Sequence, residues 1–228
     1  MDNKKLRLAV VFLFSAAMAW VEAACVIYLR TLLGRLDPYQ PHPLAMSPGS
    51  SLTRVEAFRE AATLIMLLSV GWIAGKKLQD RLGHFVFAFG LWDIAYYVWL
   101  AVFQGWPRSP FDWDVLFLIP VPWWGPVLAP VLIAAMMCVS GAAAVRGADR
   151  GVSWRLSWTN AAVAAAGIAV VLLTFTIDGL RAMPEGVTAV GRVRPSPFEW
   201  PVFMLGFVTM SWAGLRVTWP GRSWLLRT

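Results

Sequence analysis

The sequence predicts an all-α, polytopic integral membrane protein with six transmembrane helices and a Pro/Trp-rich interfacial or re-entrant segment before the fourth. Hydrophobic residues make up 58% of the 228 positions and charged residues only 14%, which gives a mean hydropathy of +0.60. Several apolar runs exceed the roughly 18 residues that mark a spanning helix. Because these runs occupy nearly the whole chain, residues 1–228 are expected to form one transmembrane bundle with no soluble domain.

The first predicted helix follows a basic start and is much longer than the apolar core of a signal peptide, so we expect it to be retained. The second opens with Thr53 and, three residues later, Glu56, a pattern typical of a capping box. Alanines and Gly167 crowd the fifth, which indicates close packing against a neighbouring helix. The six predicted helices cover residues 6–33, 54–75, 82–104, 126–145, 156–177 and 200–219.

An irregular segment rich in proline and tryptophan separates the third and fourth predicted helices, over residues 105–125. Asp112 or Asp114 can cap a short apolar helix over 115–119, which the following prolines then end. The tryptophan pair after it is unsuited to open water. The segment is therefore expected to anchor at the membrane interface or to rest as a lid over the bundle.

The basic residues predict the orientation of the chain. Twelve of the 20 lysines and arginines lie on the side of the N-terminus, so the positive-inside rule puts both termini in the cytoplasm of a multi-pass protein of the plasma (inner) membrane. This placement also accounts for the net charge of +7, and nucleic acid is not an expected partner. The three outer connections, which include 34–52, are long, and long irregular connections usually form or cover a site.

Asp93 is the residue around which the functional prediction is organised. It lies near the middle of the third predicted helix, where an ionisable group costs at least about 2.5 to 3.5 kcal/mol on insertion scales and marks a functional site by default. Tyr96 and Tyr97 follow at i+3 and i+4, which puts at least one phenol on the same helical face. A polar patch is expected inside the membrane.

Three further charged residues of the first two helices could join this patch. Glu22 either locks two helices together through a hydrogen bond or shares an acidic pocket with Asp93. Glu60 lies one turn from Glu56, an unfavourable like-charge pair unless a cation separates them, and Arg59 could pair with Asp93 or Glu22. Arg30 is expected to snorkel to the interface.

The predicted site is an outward-facing pocket formed by acidic, aromatic and cationic side chains. We predict acid–base or catalytic roles for Asp93, Glu60 and Glu22, and substrate binding by Arg59, Tyr96, Tyr97, Trp123 and Trp124. Clustered carboxylates suit a hard divalent cation, for which the candidate ligands are Glu22, Glu56, Glu60, Asp93 and His42. The two histidines, His42 in an outer loop and His84 at the inner interface, are at opposite faces, which excludes bis-histidine haem ligation.

Three classes of function fit this pattern. The leading hypothesis is a small membrane enzyme or carrier for a lipid-like or isoprenoid substrate, with Arg59 fixing an anionic group and the tryptophans binding the apolar part. The second is a non-catalytic accessory subunit of a larger membrane complex, with lipid, quinone or pigment contacts. The third is a cation- or proton-coupled transporter, but the inner half of the bundle offers few polar residues for a path.

Overall fold

Six long helices account for most of the protein in a computed structural model that describes residues 4–34, 51–149, 157–190, 193 and 196–218. Each of the six predicted helices overlaps one of them, so the helical class is confirmed. The long helices are α1 Lys4–Leu32, α2 Ser51–Ala74, α3 Leu78–Gln104, α4 Leu128–Asp149, α5 Trp158–Ala182 and α7 Trp200–Thr218, with a 3₁₀ turn Met183–Glu185 and the short α6 Val187–Val190 between the last two.

Five of the described helices, α1 to α5, are long and apolar enough to cross a membrane. The described α7 is shorter, at 19 residues, carries Arg216 in its last turn, and is not among the five. Large apolar side chains such as Leu13, Phe58 and Ile73 are exposed on the helix surfaces. A surface of this kind suits lipid rather than water, so these helices indicate a multi-pass membrane protein.

Glycines bring the central helices into close contact. α3 packs against α1, α2 and α4, while α7 packs against α4 and α5. A Cβ added at Gly141 of α4 would lie 2.5 Å from the backbone nitrogen of Phe87 in α3, and one added at Gly167 of α5 would lie 2.6 Å from that of Met210 in α7. Small residues at such crossings let two backbones approach, which favours packing in lipid.

The short helix predicted over 115–119 is wrong, because this segment is part of a β-hairpin. Strand β1, Trp113–Val115, pairs antiparallel with β2, Trp124–Pro126. Beyond the strands, Leu116 N–H donates to the Trp123 carbonyl and Trp123 N–H to that of Phe117, both at 2.8 Å. The prolines of the turn have no N–H to donate to a helix, and the extended ladder satisfies the backbone instead.

The hairpin is folded into one end of the bundle, hereafter the hairpin end. Val121 and Trp124 are buried, and ideal Cβ atoms at Gly125 and Gly179 would touch Phe175 and Val121, respectively. The hairpin therefore packs on α5, and on its other side it is hydrogen-bonded to α2. The segment was predicted to be either an interfacial anchor or a lid over the bundle; in the structure Val121 and Trp124 are buried and the hairpin packs into the end of the bundle.

An ion pair closes the opposite end of the bundle. Arg7 of α1 donates to the Asp80 carboxylate of α3 at 3.1 Å and to the Ala74 carbonyl of α2 at 2.7 Å, which ties three helices together. His84 was expected at the interface but is fully buried here, with Nδ1 2.8 Å from the Asp80 carbonyl oxygen. The same ring nitrogen lies 3.1 Å from the Asp80 carboxylate, so this buried polar side chain has its partners within its own helix.

Candidate functional site

A cavity of about 630 Å³ lies inside the bundle and reaches the hairpin end. Its walls come from α1, α2, α3, α4, α5, α7 and the hairpin. Among the described residues, α2 packs on no other long helix than α1 and α3. α2 and α5 do not contact each other among these residues, yet both line the cavity together with the hairpin.

Arg59 of α2 is shared by two carboxylates. One guanidinium nitrogen pairs with Glu22 of α1, and two others bind Glu56 Oε2 at 2.7 and 2.9 Å. Thr63 also donates to Glu22 Oε2 at 3.1 Å. Thr53 lies inside α2 rather than before it, and the Glu56 carboxylate pairs with Arg59. Arg59 is therefore fully engaged and joins α1 to α2.

Glu60 holds the hairpin. Both of its carboxylate oxygens accept from the backbone N–H of Leu118, at 3.0 and 3.1 Å. Glu56 and Glu60 lie on the same helical face, but each has its own donor, Arg59 for Glu56 and the Leu118 N–H for Glu60. A carboxylate acceptor makes this a charge-assisted hydrogen bond, stronger than a neutral one.

A second ion pair, between Arg30 and Asp114, was missed from the sequence. Arg30 donates to Asp114 Oδ1 at 3.1 Å and to Gln104 Oε1 at 3.2 Å, and its guanidinium lies 4.2 Å from the Trp106 ring centroid. Instead of snorkelling, Arg30 links α1 to the end of α3 and to β1. An arginine in the last turn of the first helix and acids in the tryptophan-rich segment, both at the same predicted face, were the available signal.

Asp114 is an almost fully buried acid in the cavity wall, with a side chain only 3% exposed. Burial raises the pKa of the Asp114 carboxyl, while Arg30, the backbone N–H of Val115 and the nearby Tyr97 hydroxyl act to lower it. Its Oδ2 atom has no hydrogen-bond partner among the described residues. Oδ1 is thus held by Arg30 and the Val115 N–H, and the Tyr97 hydroxyl is a donor close to the same carboxyl.

Asp93 lines the cavity without a partner. In the part of the chain that the structure describes, its carboxyl makes no hydrogen bond and no ion pair, although Tyr96, Tyr97 and Trp92 surround it in the same wall. The Trp92 and Tyr96 rings stack at 6.3 Å, and those of Tyr96 and Tyr97 meet edge-on at 5.1 Å. A carboxyl in such a setting requires a proton or a donor from a bound molecule.

The other predicted site residues take different positions. Trp123 lines the cavity and packs edge-on against Phe117 at 5.3 Å. Trp124 is buried in β2 and does not line the cavity. His42 and most of the predicted 34–52 loop lie outside the described residues.

A divalent-cation site is not formed by the acids that the structure describes. None of their groupings brings together three or more potential ligands in a geometry suited to a metal ion. The pairing explains this result, because Glu22 and Glu56 face Arg59 while Glu60 faces the backbone of Leu118. The carboxylates are held apart by their own partners.

The rest of the cavity wall is apolar. Beyond Asp93 it continues along α4, α5 and α7, where the polar side chains are two serines, Ser140 and Ser211. On α5 the lining residues recur at helical spacing, which places them on one face: Ala164, Ile168, Val171, Leu172 and Phe175. The cavity is therefore amphiphilic, with charged groups at the hairpin end and an apolar extension.

The comparisons with known proteins leave the site to be interpreted from its own chemistry. No protein-family model matches the chain, and no curated protein and no solved structure shows significant similarity to it.

Proposed function

We propose that this protein is a six-span membrane protein that binds a lipid-like or isoprenoid amphiphile in the hairpin-end cavity, as a carrier or a small enzyme. The observation that carries the proposal is the division of the cavity wall: charged and phenolic groups lie at one end, and an apolar channel extends from them. Pockets that are mostly apolar with a few convergent polar groups are typical of ligand sites. About 630 Å³ also falls within the usual range for such sites.

The pairing within the site assigns different roles to the acids. Glu22, Glu56 and Arg59 fix α1 to α2, and Glu60 fixes the hairpin to α2, so these groups shape the cavity. Asp93 is the carboxyl left without a described partner and is the candidate for contact with the head group, or for proton transfer if a reaction occurs. An accessory subunit would need the pairs but not an unpaired acid facing an internal cavity.

In the membrane, α7 forms the sixth span and both termini lie in the cytoplasm. The excess of lysine and arginine on the side of the N-terminus supports this orientation. The hairpin end then faces outward, and the amphiphile enters from the outer leaflet of the plasma (inner) membrane.

Native mass spectrometry of the purified protein tests the proposal. We expect wild type to retain a co-purified amphiphile, identified after extraction. Ala164→Phe, which adds a ring in the cavity wall, should lose it. Ala165→Phe is the matched control, because Ala165 is exposed on the same helix and lies outside the cavity. Equal retention by both variants would reject the cavity as the binding site.

A further inference from the structure

The balance of charge at the cavity's hairpin end limits the head group that it can accept. Five carboxyl groups and two guanidinium groups line the described wall, an excess of three acids. The acids are Glu22, Glu56, Glu60, Asp93 and Asp114, and the bases are Arg30 and Arg59. In a low-dielectric site, an anion would be repelled by each of these carboxyl groups that is ionised, whereas a cation would be attracted.

Neither guanidinium is left to bind an anion. Arg59 is held by Glu22 and Glu56, and Arg30 by Asp114, Gln104 and the face of Trp106. A phosphate or carboxylate would have to displace one of these carboxylates and leave it unpaired in the wall. Breaking a buried pair in this way is strongly unfavourable, so the sequence-based role of Arg59 in fixing an anionic group does not fit this geometry.

The unpaired groups of the wall that can carry charge are carboxyl oxygens, whereas its unpaired donors, the Trp92 and Trp123 indole N–H groups and the Ser211 hydroxyl, are neutral. Asp93 has no described partner, and Oδ2 of Asp114 is buried without one. Asp114 is also the most enclosed of these acids, because only 3% of its side chain is exposed. Asp93 and Asp114 line the same cavity, and a positively charged donor makes the strongest bond to a carboxylate.

We propose that the bound amphiphile carries a protonated amine as its head group, seated between Asp93 and Asp114, with its hydrocarbon chain along the apolar wall of α4, α5 and α7. This assignment rests on the proposed function, since it requires an amphiphile in the cavity. It names the class of ligand as a long-chain amine or an aminolipid without a compensating anionic group near the nitrogen.

A matched series of single-chain amphiphiles tests the head group. Hexadecylamine, hexadecanol, palmitate and hexadecyl phosphate share one alkyl chain, and their binding to the delipidated protein in nanodiscs can be compared by native mass spectrometry. Hexadecylamine should bind at least about tenfold more tightly than palmitate or hexadecyl phosphate, with hexadecanol between them. Asp93→Asn should reduce this preference for the amine at least several-fold while the protein remains folded.

The Ala164→Phe variant separates the two proposals. If wild type binds all four compounds equally and Ala164→Phe binds none, the cavity holds amphiphiles but the amine assignment is wrong. If Ala164→Phe binds the compounds as well as wild type does, the cavity is not the site and both proposals fail. An unchanged amine preference in Asp93→Asn and Asp114→Asn would also overturn the assignment.

Discussion

The Arg59 guanidinium is accommodated inside the bundle because it forms ion pairs with two carboxylates. Its guanidinium contacts Glu22 on one helix and Glu56 on its own. A buried ion pair is not a strong source of stability by itself, because both groups lose hydration. Its removal is nevertheless costly, since the carboxylates would remain in the wall without a cation.

We predict that Arg59→Gln destabilises the protein by about 3 kcal/mol, because two partly buried carboxylates lose their cation. Thermal or denaturant unfolding in detergent would measure the change. Arg54→Gln is the control, since Arg54 is exposed on the same helix and its loss should have little effect. Adding Glu22→Gln and Glu56→Gln to Arg59→Gln should restore most of the stability; no recovery would contradict the assigned pairing.

The sequence indicates which charged residues lie around the cavity, but it does not indicate how they pair. Asp93, Glu22, Glu60 and Arg59 stand out because ionisable groups are rare in apolar helices. Which acid takes the arginine and which remains unpaired depends on helix rotation and on the hairpin. These are tertiary features that spacing along one helix does not contain.

At the scale of elements, the hairpin gives the cavity its shape. The long helices follow directly from apolar runs, but the fold of the segment between α3 and α4 does not. Capping aspartates, apolar residues and prolines are compatible with a short helix as well as with a hairpin. The choice is decided by contacts far away in sequence: the hydrogen bonds from Leu118 to Glu60 and the packing of Gly125 on Phe175.

We predict that Glu60→Leu releases the hairpin from α2. Loss of both carboxylate acceptors leaves the Leu118 amide unpaired, and its hydrogen exchange should accelerate at least about tenfold, as expected when a charge-assisted bond is removed. Glu60→Gln keeps one oxygen acceptor and should have a smaller effect. Hydrogen–deuterium exchange of the hairpin peptides would measure this.

The control for the hairpin experiment is Glu185→Leu, an equivalent substitution at an exposed position in the 3₁₀ turn after α5. It should leave exchange in the hairpin unchanged. Unaltered exchange in Glu60→Leu would show that packing on α5 alone holds the hairpin in place.

At the scale of the whole molecule, the number of spans decides whether the two termini lie on the same side of the membrane. Five described helices are long and apolar enough to cross a membrane, and α7, with 19 residues and Arg216 in its last turn, is not among them. Its packing against α4 and α5 argues that it runs beside them in lipid. Six spans place both termini on one side, whereas five place them on opposite sides.

We predict that a fluorescent protein fused after Thr218 is bright in the cytoplasm and that alkaline phosphatase at this point is inactive. Fused after Gly186, in the connection between α5 and α7, the two reporters should behave in the opposite way. The reason is that α7 separates the two positions, and the positive-inside rule places the basic helix ends on the cytoplasmic side. The same reporter being active at both positions would show that α7 does not cross the membrane.

The central claim is that the cavity behind the hairpin holds an amphiphile whose head group meets Asp93. A density map of wild-type protein purified in its own membrane lipids would test this most directly. We expect an elongated density along α4, α5 and α7 that ends in contact with Asp93 and Asp114. A cavity closed by direct contact of α2 with α5, or density for water alone beside Asp93, would contradict it.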